Sequence, residues 1–185
     1  MVTKEVDRIV GVGEEELGTL LLKIVRLPAW GAEGAWTVTL SAEEEEERKH
    51  YGYKAHLPMH ITGDVEKRAT NILFVDGAKV AIGDVPFALL LRLVVELFKN
   101  KVGTVPKSTL IKGGYIKADS EFQSIRRLRE AFNGALRHCS PEELVETCGH
   151  RTLRLSVHPA LISYDKQKLL GHYNKRISRL AGRLP

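Results

Sequence analysis

Ser120-Glu121-Phe122-Gln123-Ser124-Ile125-Arg126-Arg127-Leu128-Arg129-Glu130-Ala131-Phe132-Asn133-Gly134-Ala135-Leu136-Arg137-His138 is the stretch on which the fold turns. Phe122, Ile125, Leu128, Phe132 and Leu136 recur at spacings of three and four, the repeat that puts side chains on one buried stripe of a helix. Ser120 is a suitable N-cap, so a helix is predicted from Glu121 to His138. Its opposite face carries Gln123, Ser124, Arg126, Arg127, Glu130, Asn133 and Arg137, with Arg129 at the boundary. A helix apolar on one side and rich in arginine on the other packs on a core and presents cations outward.

Outward from this helix, the flanking segments read as its support. Thr104 to Ile111 looks like a turn followed by a second, short helix, closed by Gly113-Gly114. Before it, Asp84 is a candidate cap for a helix that tolerates Pro86 in its first turn and offers Phe87, Leu90, Leu91, Leu93, Val94, Leu97 and Phe98 as a wide apolar face. Earlier still, Ile72-Leu73-Phe74-Val75 and Lys79-Val80-Ala81-Ile82 flank Asp76-Gly77, a strong hairpin signal. On the other side, Leu144 to Thr147 and Thr152 to Val157 are β-prone runs around Cys148-Gly149-His150-Arg151. The expected fold class is α+β, and the order over residues 72–158 is hairpin, three helices and a closing ribbon.

These residues resemble the OmpR/PhoB-type winged helix-turn-helix DNA-binding domain. Phe87-Ala88-Leu89-Leu90 is similar to the apolar opening of that family's first helix, and Ile125-Arg126-Arg127-Leu128-Arg129 to the Ile-Ser-Arg-Leu-Arg run of its recognition helix. Val145-Glu146-Thr147 and Arg154-Leu155 follow the family's wing at the same separation. The resemblance covers under half of the chain. It implies a DNA-binding transcriptional regulator, with Ser124, Arg127 and Arg129 at DNA-touching helix positions and Arg151 or Arg154 on the wing. The family usually carries a phosphorylatable receiver domain ahead of this unit. The segment before residue 72 is too short for one and lacks its alternating strands and helices, so control by aspartyl phosphorylation is not expected.

Charge points the same way. From Asp84 to Pro185 there are 18 Lys or Arg against 9 Asp or Glu, whereas Met1 to Gly83 has 10 against 14, so the overall +5 hides a basic half joined to an acidic one. Such asymmetry suggests a polyanion-binding surface confined to one region, and double-stranded DNA is the expected partner. The candidate DNA-binding residues are Lys107, Gln123, Ser124, Arg126, Arg127, Arg129, Arg137, His150, Arg151 and Arg154. Lys107, Arg137 and the wing arginines are expected on phosphates, and the third helix in the major groove. The alternative is a winged-helix protein-interaction or RNA-binding subunit of a larger assembly.

Three domains are expected: residues 1–71 as a small N-terminal α/β lobe, 72–158 as the winged helix, and 159–185 as a basic amphipathic C-terminal helix. In the first, Glu14 to Arg26 has helical spacing ended by Pro28, Trp36 to Leu40 looks like a strand, and Ser41 caps a short helix over Glu43 to Lys49. The five consecutive glutamates read as a solvated face, with a protein partner for this lobe as the other option. In the last, Leu169, Leu170, Tyr173, Ile177 and Leu180 form a stripe along a helix from Tyr164 to Leu180. That stripe packs on its own domain, pairs with a second copy to give a homodimer, or lies along DNA.

Other chemistries find little support. His50, His56 and His60 lack the spacing of a metal site, and Pro58 separates the last two. Gly11-Val12-Gly13 with Gly18 does not match a dinucleotide fingerprint. There is no Gly-x-Ser-x-Gly, phosphate-loop or His-Glu-x-x-His pattern, so no enzyme and no cofactor are expected. Neither a membrane span nor a secretory leader is visible, and Cys139 and Cys148 lack metal spacing, which makes the cytoplasm the expected location.

Overall fold

The computed structural model describes residues 39–67, 69–149 and 151–185, which form an α+β arrangement. The expected helix over Glu14 to Arg26, the Gly11–Gly18 segment and most of the expected strand at Trp36 to Leu40 lie outside these residues. Thr39 and Leu40 lead without regular structure into α1 (Ala42–Tyr51). Ser41 and Glu44 close a reciprocal capping box at its start. The glutamate run that follows is largely engaged: Glu45 pairs with Arg48, Glu46 with Lys49, and Glu47 with Lys101 and His158.

Next come β1 (Met59–Glu66), β2 (Thr70–Val75) and β3 (Ala78–Gly83). The turn between β2 and β3 has positive φ at both Asp76 and Gly77, as a tight two-residue hairpin requires. β1 lies antiparallel on β2. On its other edge β1 takes β7 (Ile162–Tyr164) in parallel, giving the order β3-β2-β1-β7. This sheet runs through both sequence boundaries expected at residues 71–72 and 158–159.

Helix α2 (Asp84–Asn100) is buried along most of its circumference, with Phe87, Leu89, Leu90, Leu91, Leu93 and Leu97 fully enclosed. Burying each such side chain stabilises by about 1.5 to 3 kcal/mol, so this helix anchors the core. Asp84 does not cap it. The cap position is Gly83, and the Asp84 carboxylate turns instead to Asn71, Tyr173 and Asn174.

After α2 the chain makes β4 (Val105–Pro106), α3 (Lys107–Lys112), a 3₁₀ turn at Ala118–Ser120, α4 (Glu121–Glu130), α5 (Pro141–Leu144), β5 (Val145–Cys148) and β6 (Thr152–Leu155). β4, β6 and β5 form a second sheet in that order, with Val105 opposite Leu153 and Thr147 opposite Leu153 from the other side. Helix α4 is shorter than the sequence predicts. Past Glu130 the backbone tightens into i→i−3 turns, and Gly134 at φ 81° ends any helical continuation. Phe132 remains fully buried from this turn. Phe122 does not: it is 71% exposed. With 3.6 residues per turn it lies about 120° around the helix from Leu128, too far to share the stripe that Ile125 and Leu128 bury. Ser120 also makes no side-chain cap bond, and its carbonyl accepts from Ser124 Oγ instead.

The C-terminal tail is not the single helix expected. β7 leads into α6 (Lys166–Leu170) and α7 (Lys175–Ala181). Gly171 ends α6, Asp165 caps its start through the Lys168 N–H, and Asn174 caps α7 through the Arg176 N–H. Leu169, Ile177, Leu180, Ala181 and Leu184 are buried, so most of the expected stripe is spent on the chain's own core, and α7 packs on α2. Leu170 and Tyr173 stay exposed.

Candidate nucleic-acid interface

Helices α3 and α4 and the β5–β6 hairpin are tied into one surface. The Lys107 N–H at the start of α3 donates to the Arg151 carbonyl at the hairpin tip, 2.9 Å away. Arg129 reaches from α4 to β5, donating from Nε and Nη2 to the Val145 carbonyl at 3.0 and 2.7 Å and to Thr147 Oγ1 at 3.1 Å. Between the helices, Gly114 in the left-handed region turns the chain and Ile116 plugs the core. With Ile125 and Leu128 buried, the outward face of α4 presents Gln123, Arg126, Arg127 and Glu130 to solvent, and Asn133 is exposed in the turn that follows.

The cations chosen from sequence divide into two groups. Arg127, Arg137 and Arg151 are exposed and form no ion pair or side-chain hydrogen bond among the described residues. The others are engaged. Lys107 meets Glu121 at 2.6 Å, and Arg126 meets Glu130 at 2.6 Å one turn along the same helix. Arg129 is the brace just described, half-buried and committed to β5.

Arg154 departs furthest from the expectation of a DNA contact. Its side chain is only 12% exposed and pairs with Glu146 at 2.7 Å. It also donates to the carbonyls of Tyr51 and Gly52 at 2.9 and 2.8 Å, so it fastens the hairpin to the end of α1 rather than facing outward. Lys54 meets the same Glu146 at 2.7 Å. Burial alone would raise the Glu146 pKa, but the hydrogen bonds from Lys54 and Arg154 outweigh it and hold the carboxyl below its ordinary range. Ser124 spends its hydroxyl on the Ser120 carbonyl, Gln123 is exposed, and His150 lies outside the described residues.

Sequence reasoning missed two features of this surface. A hollow of about 540 Å³ opens beside α4, lined among others by Lys107, Phe122, Arg129 and Thr147, and Glu121, Glu130 and Glu142 also border it. An exposed aromatic and three carboxylates therefore accompany the arginines. The angular offset of Phe122 from Leu128 was the available signal for the first.

Among the described residues no three His, Cys, Asp or Glu side chains converge as a metal site would require, and no helix is long and apolar enough to cross a membrane. His60 bonds Ser163 Oγ at 3.0 Å. Comparison with family models, with curated proteins and with solved structures finds no match to this chain.

Proposed function

We propose that this protein is a sequence-specific DNA-binding regulator, in which residues 84–155 act as a winged helix-turn-helix. Helix α4 enters the major groove and the β5–β6 hairpin lies against the adjoining backbone. The observation that carries this reading is an exposed Arg127 on α4 beside an exposed Arg151 on a hairpin braced to that helix by Arg129, both without an ion pair or side-chain hydrogen bond among the described residues. A planar guanidinium on such a helix suits the two acceptors of a guanine edge, and Gln123 suits adenine. Arg151 and Arg137 suit phosphates, which fix register without reading sequence. The reading assigns no catalytic step to the chain.

Selection of bound fragments from a random duplex pool tests it. A recurring motif is the expected result, and recovery of unenriched sequence overturns it.

One observation favours a second reading, a protein-interaction subunit of a larger assembly. Phe122 stands exposed beside a hollow bordered by three glutamates, an apolar and acidic neighbourhood that a DNA backbone does not seek. Unlabelled duplex DNA added to a pull-down separates the two: it displaces the partner if the α4 face is shared with DNA and leaves it bound otherwise.

A further inference from the structure

A cationic cleft shares no lining residue with the hollow beside α4. It has a volume of about 860 Å³ and is walled by α7 and its C-terminal extension, the start of α2 and the turn that follows α3. Lys175, Arg176, Arg179 and Arg183 line it. Among the described lining residues the one carboxylate is Asp84; its hydrogen bonds come from Asn71 at 2.9 Å, Tyr173 at 2.6 Å and Asn174 at 2.9 Å, it forms no ion pair with the four cations, and four cations against one carboxylate leave the lining at +3. Burial alone would raise the Asp84 pKa, but those three donors outweigh it and keep the carboxyl ionised.

The four cations are not equivalent. Arg176 donates to the Gly114 carbonyl at 2.6 Å and lies over the Tyr115 ring, 5.5 Å from its centroid. Gly114 itself leaves room for this guanidinium, since a Cβ there would sit 3.1 Å from Arg176 Nη2. Arg176 is thus fixed in place and forms no ion pair among the described residues. Lys175, Arg179 and Arg183 are exposed and form no ion pair or side-chain hydrogen bond among the described residues.

Lys175 and Arg179 stand one turn apart on α7, about 6 Å along its axis, and Arg183 follows four residues later in the extension beyond Gly182. A single small anion would call for donors converging on one point. A succession of cations in excess of the one carboxylate instead matches successive phosphates, and a polyanion lying across them relieves their mutual repulsion and releases its own counterions.

We propose that this cleft grips the phosphate backbone of duplex DNA as a second, sequence-independent contact. The inference rests on the reading of the protein as a DNA-binding one, but it makes its own claim about α7. Each phosphate contact lowers the slope of log K against log salt by about 0.9, so the three exposed cations together account for a slope of about 2.7.

The experiment measures binding of the full chain to a labelled long mixed-sequence duplex across a salt series. It compares the wild type, the triple variant Lys175→Gln, Arg179→Gln and Arg183→Gln, and Arg127→Ala, with circular dichroism melts verifying the fold of each. The triple variant is expected to lose about 2.7 from the salt slope while keeping whatever sequence preference the wild type has. An unchanged slope in the triple variant, or no wild-type binding to duplex at low salt, overturns the cleft. If the triple variant loses slope while Arg127→Ala changes neither affinity nor preference, the role of α4 falls and the cleft stands. The reverse pattern removes the cleft alone.

Discussion

The Nε2 atom of His172 lies 2.7 Å from the side-chain oxygen of Asn71, joining the C-terminal tail to β2 inside the core. His172 Nδ1 accepts the Asn174 N–H at 3.0 Å, so Nε2 carries the proton and donates it to Asn71. Asn71 is fully buried and spends its amide protons on the Ile82 carbonyl and Asp84. Every polar atom of the pair is therefore matched. His172→Ala leaves the Asn71 oxygen buried without a donor and is expected to cost about 1 to 3 kcal/mol. Urea melts of His172→Ala, Asn71→Ala and the double variant check it. Strict additivity of the two losses would show that the bond contributes nothing of its own.

Acid should weaken the fold through two imidazoles. Burial pushes the His60 pKa down to about 4, and burial also holds His172 below the ordinary imidazole range against the pull of the Asp84 carboxylate. Both folded-state values are below that of a free imidazole, so below about pH 6.5 the unfolded chain takes up protons that the folded chain refuses. Stability is full above that pH and falls as pH drops toward about 4. For the half-buried His60 the loss is on the order of 1 to 2 kcal/mol after discounting for solvent screening. The urea midpoint should drop between about pH 7 and pH 5, and His60→Asn should flatten part of that slope. A midpoint constant across the window would contradict the assignment.

Arg127 and Arg154 should fail in different ways. Arg127→Ala is expected to leave stability within about 0.5 kcal/mol and to weaken binding to the selected duplex by about 1 to 3 kcal/mol, with a smaller loss on random sequence. Arg154→Ala removes donors from Tyr51, Gly52 and Glu146 and is expected to cost about 2 to 3 kcal/mol of stability. Its affinity should be unchanged once the folded fraction is corrected for. Equal losses by Arg127→Ala on selected and random duplexes would reduce Arg127 to a phosphate contact.

Phe122 has an atomically specific test. An exposed phenylalanine on a major-groove helix is matched by the 5-methyl group of thymine. Replacing each thymine of the selected site by deoxyuracil in turn should weaken the wild type at one position by about 1 kcal/mol and leave Phe122→Ala indifferent there. If both proteins tolerate every replacement equally, the ring does not face a thymine.

The carboxylates on α4 give a sign test. Glu130→Gln releases Arg126 and removes a negative charge from the face proposed to meet DNA, so duplex affinity should rise about threefold at low salt and less at high salt. A fall in duplex affinity would instead count for an acidic surface that serves another partner.

Much of this was legible in the residues because the signals were local. Asp76-Gly77 could form only one kind of turn economically, Ser41 and Glu44 stood at capping-box spacing, and Ile125 with Leu128 defined the buried side of α4. What escaped was long-range. β1 contains Gly63 and Asp64 and alternates poorly, and one of its edges is paired, over Met59, His60 and Ile61, by β7 about a hundred residues later. Arg154 looked like a surface cation because nothing near it in sequence reveals that its acceptors are carbonyls 103 and 102 residues away. The tail was read as one helix because apolar periodicity carries across Gly171, whereas backbone caps at Asp165 and Asn174 decide the break.

The parallel seating of β7 along β1 bears on how the protein can be dissected. Cutting the chain after His158 would strip a ladder from Met59, His60 and Ile61 and leave a bare strand edge, an invitation to self-association. A fragment trimmed to α3, α4 and the β5–β6 hairpin would therefore arrive without the sheet that β1 and β7 complete, and its silence in a binding assay would report collapse rather than lack of affinity.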